Sequence, residues 1–294
     1  MFQGEIAALS AAALWAFATL MFGRLGKQLS PLVLNLIKGS MAIGFIVLTL
    51  VVRQQLLASL PMESVGLLLV SGVVGIGLGD TAYFATVNAL GARRALLLEM
   101  LAPLMSAVMA LVFLQERLSA IAWLGMALTL VGIVWVVSER SPQLNAGPAS
   151  ARGIILGVMA ALGQAIGSVL SRAALADTTV DPLWSSLLRL VAGLVCIGGL
   201  CLWRRRSQPL ISKQVVSARL LGGVAIAAFF GTYLAIWLQQ VALKYSPTGI
   251  AQSLLATSPI MVLPMALVIG ERITLRAICG AMVALVGVWL LFSR

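Results

Sequence analysis

The sequence predicts an all-α membrane protein whose ten transmembrane helices form two inverted-topology repeats of five. Three observations carry that expectation: a composition suited to lipid, ten apolar runs of bilayer length, and features that recur in the same order in both halves. Of the 294 residues, 61% are hydrophobic and only 10% charged, with a mean hydropathy of +1.06. A water-soluble core cannot bury that much apolar surface, so lipid must cover the remainder. About 20 helical residues at ~1.5 Å each cross a hydrocarbon layer of ~30 Å. Such runs fall at 4–22, 31–52, 65–88, 95–114 and 120–137, then at 153–170, 182–203, 220–243, 248–269 and 277–292. Backbone groups in lipid need internal hydrogen-bond partners. The runs are too long and too uniformly apolar for barrel strands, which leaves helices.

Each run has its own signature. No Lys or Arg precedes the first, which exceeds a usual signal h-region, so it is expected to stay in the mature chain. Pro31 opens the second, and Lys38 lies within it. The third carries Gly75, Gly77 and Gly79 ahead of Asp80, and the fourth holds Glu99 and Pro103. Gly125 and Gly132 mark the fifth, where small residues permit close helix contact. Glu139 to Ala151 is the one stretch of linker character, rich in Ser, Pro, Asn and Gly, and it divides the chain nearly in two. The expected organisation is therefore a first repeat at 1–138, a linker at 139–151 and a second repeat at 152–294.

Sliding one half over the other by about 150 residues aligns these features. Pro31 and Lys38 meet Pro182 and Arg189; Pro103 meets Pro259; Glu116-Arg117-Leu118-Ser119 meets Glu271-Arg272-Ile273-Thr274; Gly125 and Gly132 meet Gly280 and Gly287. Five crossings per half force the second copy to enter from the opposite face. Loop cations agree, since Arg24, Lys27, Arg93, Arg94, Arg140, Arg152, the Arg204 to Arg206 run, Lys213, Arg219, Arg272 and Arg276 fall on one face. Only Arg53, Arg117, Arg172, Lys244 and Arg294 fall on the other. The cation-rich face is expected to be cytoplasmic, with both termini opposite. Topology and anionic headgroups account for the net charge of +11, so no nucleic-acid partner is implied.

Paired five-helix halves, each with a cation after an early proline and a Glu-Arg turn before its last span, resemble the EamA-type transporters of the drug/metabolite transporter superfamily. The strings Gly79-Asp80-Thr81-Ala82-Tyr83-Phe84 and Leu90-Gly91-Ala92, Glu99 with Pro103, and the closing glycine-paired helices carry the same likeness over nearly the whole chain. The resemblance implies a multi-pass protein of the bacterial inner membrane that exports or exchanges a small metabolite by alternating access. Its members usually keep both termini cytoplasmic, the reverse of what the loop charges here indicate.

Ionisable groups at bilayer depth cost several kcal/mol unless paired or watered, which makes Lys38, Asp80, Glu99 and Arg189 site candidates. Lys38, Asp80 and Glu99 lie at similar depth and are expected to meet, with Tyr83 on the Asp80 stripe. The bland alternative is a Lys38–Asp80 pair that only holds two helices in register. One cation against two carboxylates leaves an acid free to exchange protons, and with no histidine in the chain Glu99 or Asp80 is the expected proton carrier. In the second half Tyr233 falls at the Asp80 position, Trp237 near Phe84, and Gln164 at the Trp15 position. Arg189 is expected near a face, with Asp177 or Asp181 as partner or snorkelling to the interface. Pro103 and Pro259 are expected to kink matched helices as hinges. Glu116, Glu271, Ser119 and Thr274 read as helix caps without transport chemistry. Cys196, Cys201 and Cys279 lack metal spacing and read as packing residues.

These readings favour a secondary transporter, a monomer or homodimer, for a small organic metabolite, amino-acid-like or similar, the rivals being a flippase for a lipid-linked precursor and, more remotely, a membrane-embedded enzyme. Enzyme chemistry is disfavoured by the lack of histidine and of a clustered acidic motif, so no cofactor and no metal is expected.

Overall fold

The computed structural model describes residues 2–25, 31–56, 60–138, 150–205, 218–268 and 274–293. Most of the linker (139–149), the Glu271-Arg272-Ile273 turn and the loop cations Lys27, Arg140, Arg206, Lys213 and Arg294 lie outside these residues. Among the described residues the regular structure is helical, and ten stretches are long and apolar enough to cross a membrane. The first half runs α1 (Gln3–Leu25), α2 (Pro31–Val52), α3 (Met62–Ser71), α4 (Asp80–Leu90), α5 (Ala92–Glu99), α6 (Leu101–Phe113) and α7 (Ala120–Val137). The second runs α8 (Ala151–Leu175), α9 (Pro182–Arg205), α10 (Ala218–Ala228), α11 (Ala235–Tyr245), α12 (Thr248–Leu255), α13 (Ser258–Val268) and α14 (Leu275–Phe292).

Two irregularities occur at matching places in both halves. The third and eighth crossings each contain a π-helical stretch, Gly72–Gly79 between α3 and α4 and Phe229–Leu234 between α10 and α11. The fourth and ninth are each broken into two short helices, at Met100 and at Ala256-Thr257. Neither π stretch follows from the hydropathy pattern, because both are as apolar as their neighbours. In the first, missing side chains let two helices approach: a Cβ on Gly72 would lie 2.7 Å from Arg189 Cα, and one on Gly77 2.7 Å from Cys196 Sγ.

The closing helices of the halves pack on each other through their glycines. A Cβ on Gly125 would stand 2.9 Å from the Gly287 carbonyl, and one on Gly280 3.1 Å from that of Gly132. Lipid tails are as apolar as leucine, so such association rests on close van der Waals contact, which glycine permits. The main buried cluster is correspondingly rich in small residues, with Ala8, Ala11, Ala174, Ala235, Ala242 and Ala251 among its members.

Phe2 and Phe292 are in contact, ring centroids 5.3 Å apart, so the two chain ends share one face, called here the terminal face. On the other face α4 turns into α5 through Gly91, whose φ of 84° is a conformation that favours glycine. Ser119 and Thr274 cap α7 and α14 as expected, accepting from Ala122 and Ala277 amides at 3.2 Å. Val52, Phe113, Val195 and Trp289 are exposed on the outer surface. Cys279 also faces outward, so it is not an interior packing residue, whereas Cys196 packs between helices; the Cys201 side chain lies outside what the structure describes.

Candidate solute cavity

A cavity of about 460 Å³ lies between the halves, and it collects Tyr83, Glu99, Pro103, Gln164 and Pro259 from the expected residues. Trp15, Thr19, Gln252 and Ser258 also line it. Its walls are mostly apolar with a few converging polar groups, as in small-molecule sites generally. Trp15 is held by its indole Nε1–H, which donates to the Gly231 carbonyl at 2.9 Å, inside the second π stretch. Gln252 Nε2 donates to Ser168 Oγ, and that hydroxyl donates to the Gln164 carbonyl at 2.8 Å. These bonds fix side chains from α1, α8 and α12 around one space.

Gln252 was legible in principle. The offset that carries Asp80 onto Tyr233 also carries Glu99 onto Gln252, so the repeat itself pairs an acid with its neutral counterpart across the cavity.

The prolines do something other than kink a continuous helix. Pro103 is the third residue of α6 and Pro259 the second of α13, positions where proline's missing amide is tolerated. Each therefore begins a new short helix after a break. Lacking N–H groups, they leave without helical donors the carbonyls four residues earlier, those of Glu99 and Leu255, and both residues line the cavity. Broken helices at the centre of a membrane bundle are tolerated where they line such a space.

The expected trio of Lys38, Asp80 and Glu99 is divided. Lys38 and Asp80 line a separate small cavity of about 50 Å³ with Asn35 and Thr232, between α2, α9 and the two π stretches. Asp80 is in electrostatic reach of Lys38, Arg189 and Glu99, and so stands between the two spaces. The π stretch that ends at Gly79 sets this orientation, and Thr81 Oγ1 donates to the Gly77 carbonyl at 2.6 Å. Arg189 is not near a face with Asp177 or Asp181. It is 1% exposed, its Nε and Nη1 have no hydrogen-bond partner, and Asp181 instead caps α9 by accepting from the Leu183 amide at 2.7 Å. A buried guanidinium in electrostatic reach of a part-buried carboxylate, itself in reach of an ammonium, makes Lys38, Asp80 and Arg189 one charge cluster.

Tyr233 and Trp237 lie outside both cavities. Tyr233 packs with Phe45, Phe229 and Trp237 and shares a 2.9 Å hydrogen bond with Thr49 Oγ1. Arg53 covers the Trp237 ring at 4.9 Å. Tyr233 lies within the second π stretch, and its neighbour Thr232 lines the small cavity.

Glu116, expected as a local cap, bridges the halves on the terminal face. Its Oε1 accepts from Arg172 Nε at 2.6 Å and its Oε2 from the Thr248 amide at 2.7 Å, at the start of α12. Arg172 Nη1 also donates to the carbonyls of Leu243 and Lys244, and Lys244 Nζ donates to that of Val180. The α6–α7 turn, the end of α8 and the α11–α12 connection are thereby fastened together.

Ten crossings in two matching halves, with a mostly apolar cavity that carries a few polar groups between them, are the architecture of a membrane transporter of duplicated construction. The EamA-like transporter family model matches twice, over residues 2–138 and 151–293; the chain belongs to that family, within the drug/metabolite transporter superfamily. A search of curated protein sequences found no match. The fold is similar to that of a solved structure described only as "Crystal structure of protein", with a TM-score of 0.81 and 16% identity over 98% of this chain and 95% of the other.

Proposed function

We propose that this protein is a secondary active transporter that carries a small organic metabolite, amino-acid-like or similar, across a bacterial inner membrane by alternating access, in exchange for protons. Residues 1–138 and 152–294 act as the two moving repeats, joined by 139–151, in a monomer or homodimer. One observation carries the reading: a central cavity of about 460 Å³ with Glu99 in its wall, beside a cross-half fastening on the terminal face. With the terminal face closed, solute reaches the cavity from the cation-rich face, which the loop charges assign to the cytoplasm. Loading from the cytoplasm fits export. Pro103 and Pro259 stand at breaks where short helices swing, and Glu99 is the proton carrier.

The test is transport by purified protein in proteoliposomes, with cargo chosen by comparing metabolite pools of cells that lack or overproduce it. Saturable counterflow and accumulation driven by a pH gradient are expected. Conductance without saturation, or product formation from the solute, contradicts the proposal; lipid scrambling without solute flux favours a flippase.

A further inference from the structure

We infer that the central cavity selects an organic cation: an ammonium group on an apolar or aromatic body, with no carboxylate of its own. This deepens the transport reading above and rests on it. Three features of the cavity point the same way.

The first is charge. Among the described residues that line the cavity, Glu99 is the one carboxyl group, and no Lys or Arg lines it. The charged group within electrostatic reach of Glu99 is Asp80, of the same sign. Lys38 lines the small cavity and not this one, and Arg189 lines neither. A solute carboxylate here finds no cation to receive it, and stripping its water without a partner costs several kcal/mol. An ammonium finds Glu99.

The second is the backbone. Each proline at a helix break subtracts one donor and releases one acceptor, the carbonyls of Glu99 and Leu255. Around an ammonium, which has only donors, such a break is complementary; around a carboxylate it is not.

The third is the aromatic wall. Trp15 and Tyr83 line the same space as Glu99, and the Trp15 indole is held in place through Nε1. An indole face attracts a cation, the more strongly the less water reaches it. Acid, acceptors and ring therefore favour one end of a solute, while the remaining apolar wall takes its body.

Calorimetric titration of the full chain in lipid nanodiscs tests this with three probes of one body and three charges: 2-phenylethylamine, phenylalanine and 3-phenylpropionate. The amine is expected to bind about tenfold or more tighter than either carboxylate, as a charge-assisted contact requires. Glu99→Gln removes most of that preference. Ser258→Lys, which adds a cation to the cavity, shifts preference toward 3-phenylpropionate and guards against an unfolded Glu99→Gln. Phenylalanine or 3-phenylpropionate binding as tightly as the amine overturns the inference. So does a preference that survives Glu99→Gln, or no detectable binding of the amine at millimolar concentration. Saturable counterflow of the anion or zwitterion also ends the inference but leaves the transporter reading standing; absence of counterflow for every metabolite tried ends that reading as well.

Discussion

Removing the Arg172 side chain is expected to loosen the terminal face and leave the rest of the bundle intact. Arg172→Ala deletes the bond to the Glu116 carboxylate and two bonds to the carbonyls of Leu243 and Lys244. A bond to a charged group contributes about 1.5–3 kcal/mol and a neutral one about 0.5–1.5 kcal/mol. The pair is 17% and 13% exposed, so water recovers part of that loss and about 3 kcal/mol remains. That is roughly a hundredfold shift from closed toward open. Glu116→Gln keeps an acceptor for the Thr248 amide and removes the ion pair, for about a tenfold shift. Hydrogen–deuterium exchange read by mass spectrometry on purified protein measures both, because the Thr248 amide donates directly to Glu116. Faster exchange is expected in peptides covering the end of α8 and the start of α12, with the α7–α14 pair unchanged. Unaltered exchange at α12, or acceleration spread evenly over all helices, refutes a localised latch.

Glu99→Gln is expected to abolish accumulation driven by a pH gradient while exchange of solute for solute continues, a split read in proteoliposomes. Asp80→Asn leaves Lys38 and Arg189 without their shared carboxylate and is expected to cost about 3–5 kcal/mol of stability, visible as a lowered unfolding temperature. Tyr233→Phe removes only the Thr49 contact, about 1 kcal/mol, and is expected to leave solute affinity unchanged because Tyr233 lies outside the cavity. Gly132→Leu drives a side chain into the backbone of α14 and is expected to prevent stable assembly, measured as loss of a monodisperse elution peak. Pro103→Ala restores a donor for the Glu99 carbonyl; slower turnover with equal or greater thermal stability is expected if the break serves motion.

The separate fates of the candidate residues show which signals are local. Pro103, Pro259 and Glu99, singled out because a proline or an ionisable group in an apolar run is costly wherever it lies, line the cavity, as do Tyr83, read from the Asp80 stripe, and Gln164, read from the repeat position of Trp15. Tyr233 and Trp237 fall outside the cavities: their shared stripe was read through a stretch that is π-helical, where an altered turn changes the direction of the residues beyond it. Arg189 lies on an uninterrupted helix, and its expected partner at a face was read from the inverted repeat position, which does not fix burial. Arg172 was passed over and Glu116 was read as a local cap because their partners are far away in sequence, on a different repeat.

What the sequence determined by itself was the solvent, the ten crossings, the duplication and its inversion. Each follows from lengths and periods along the chain: lipid thickness sets the run, and an odd number of crossings sets the inversion. What only the tertiary structure decided was the division of Lys38, Asp80 and Glu99 between two spaces, the pairing of α7 with α14, and the bridge from Arg172 to Glu116. Those depend on which helix faces meet, and in a uniformly apolar chain hydropathy marks no inner face. Small steric facts choose the faces instead, such as a glycine that admits a neighbouring backbone or a turn that gains a residue.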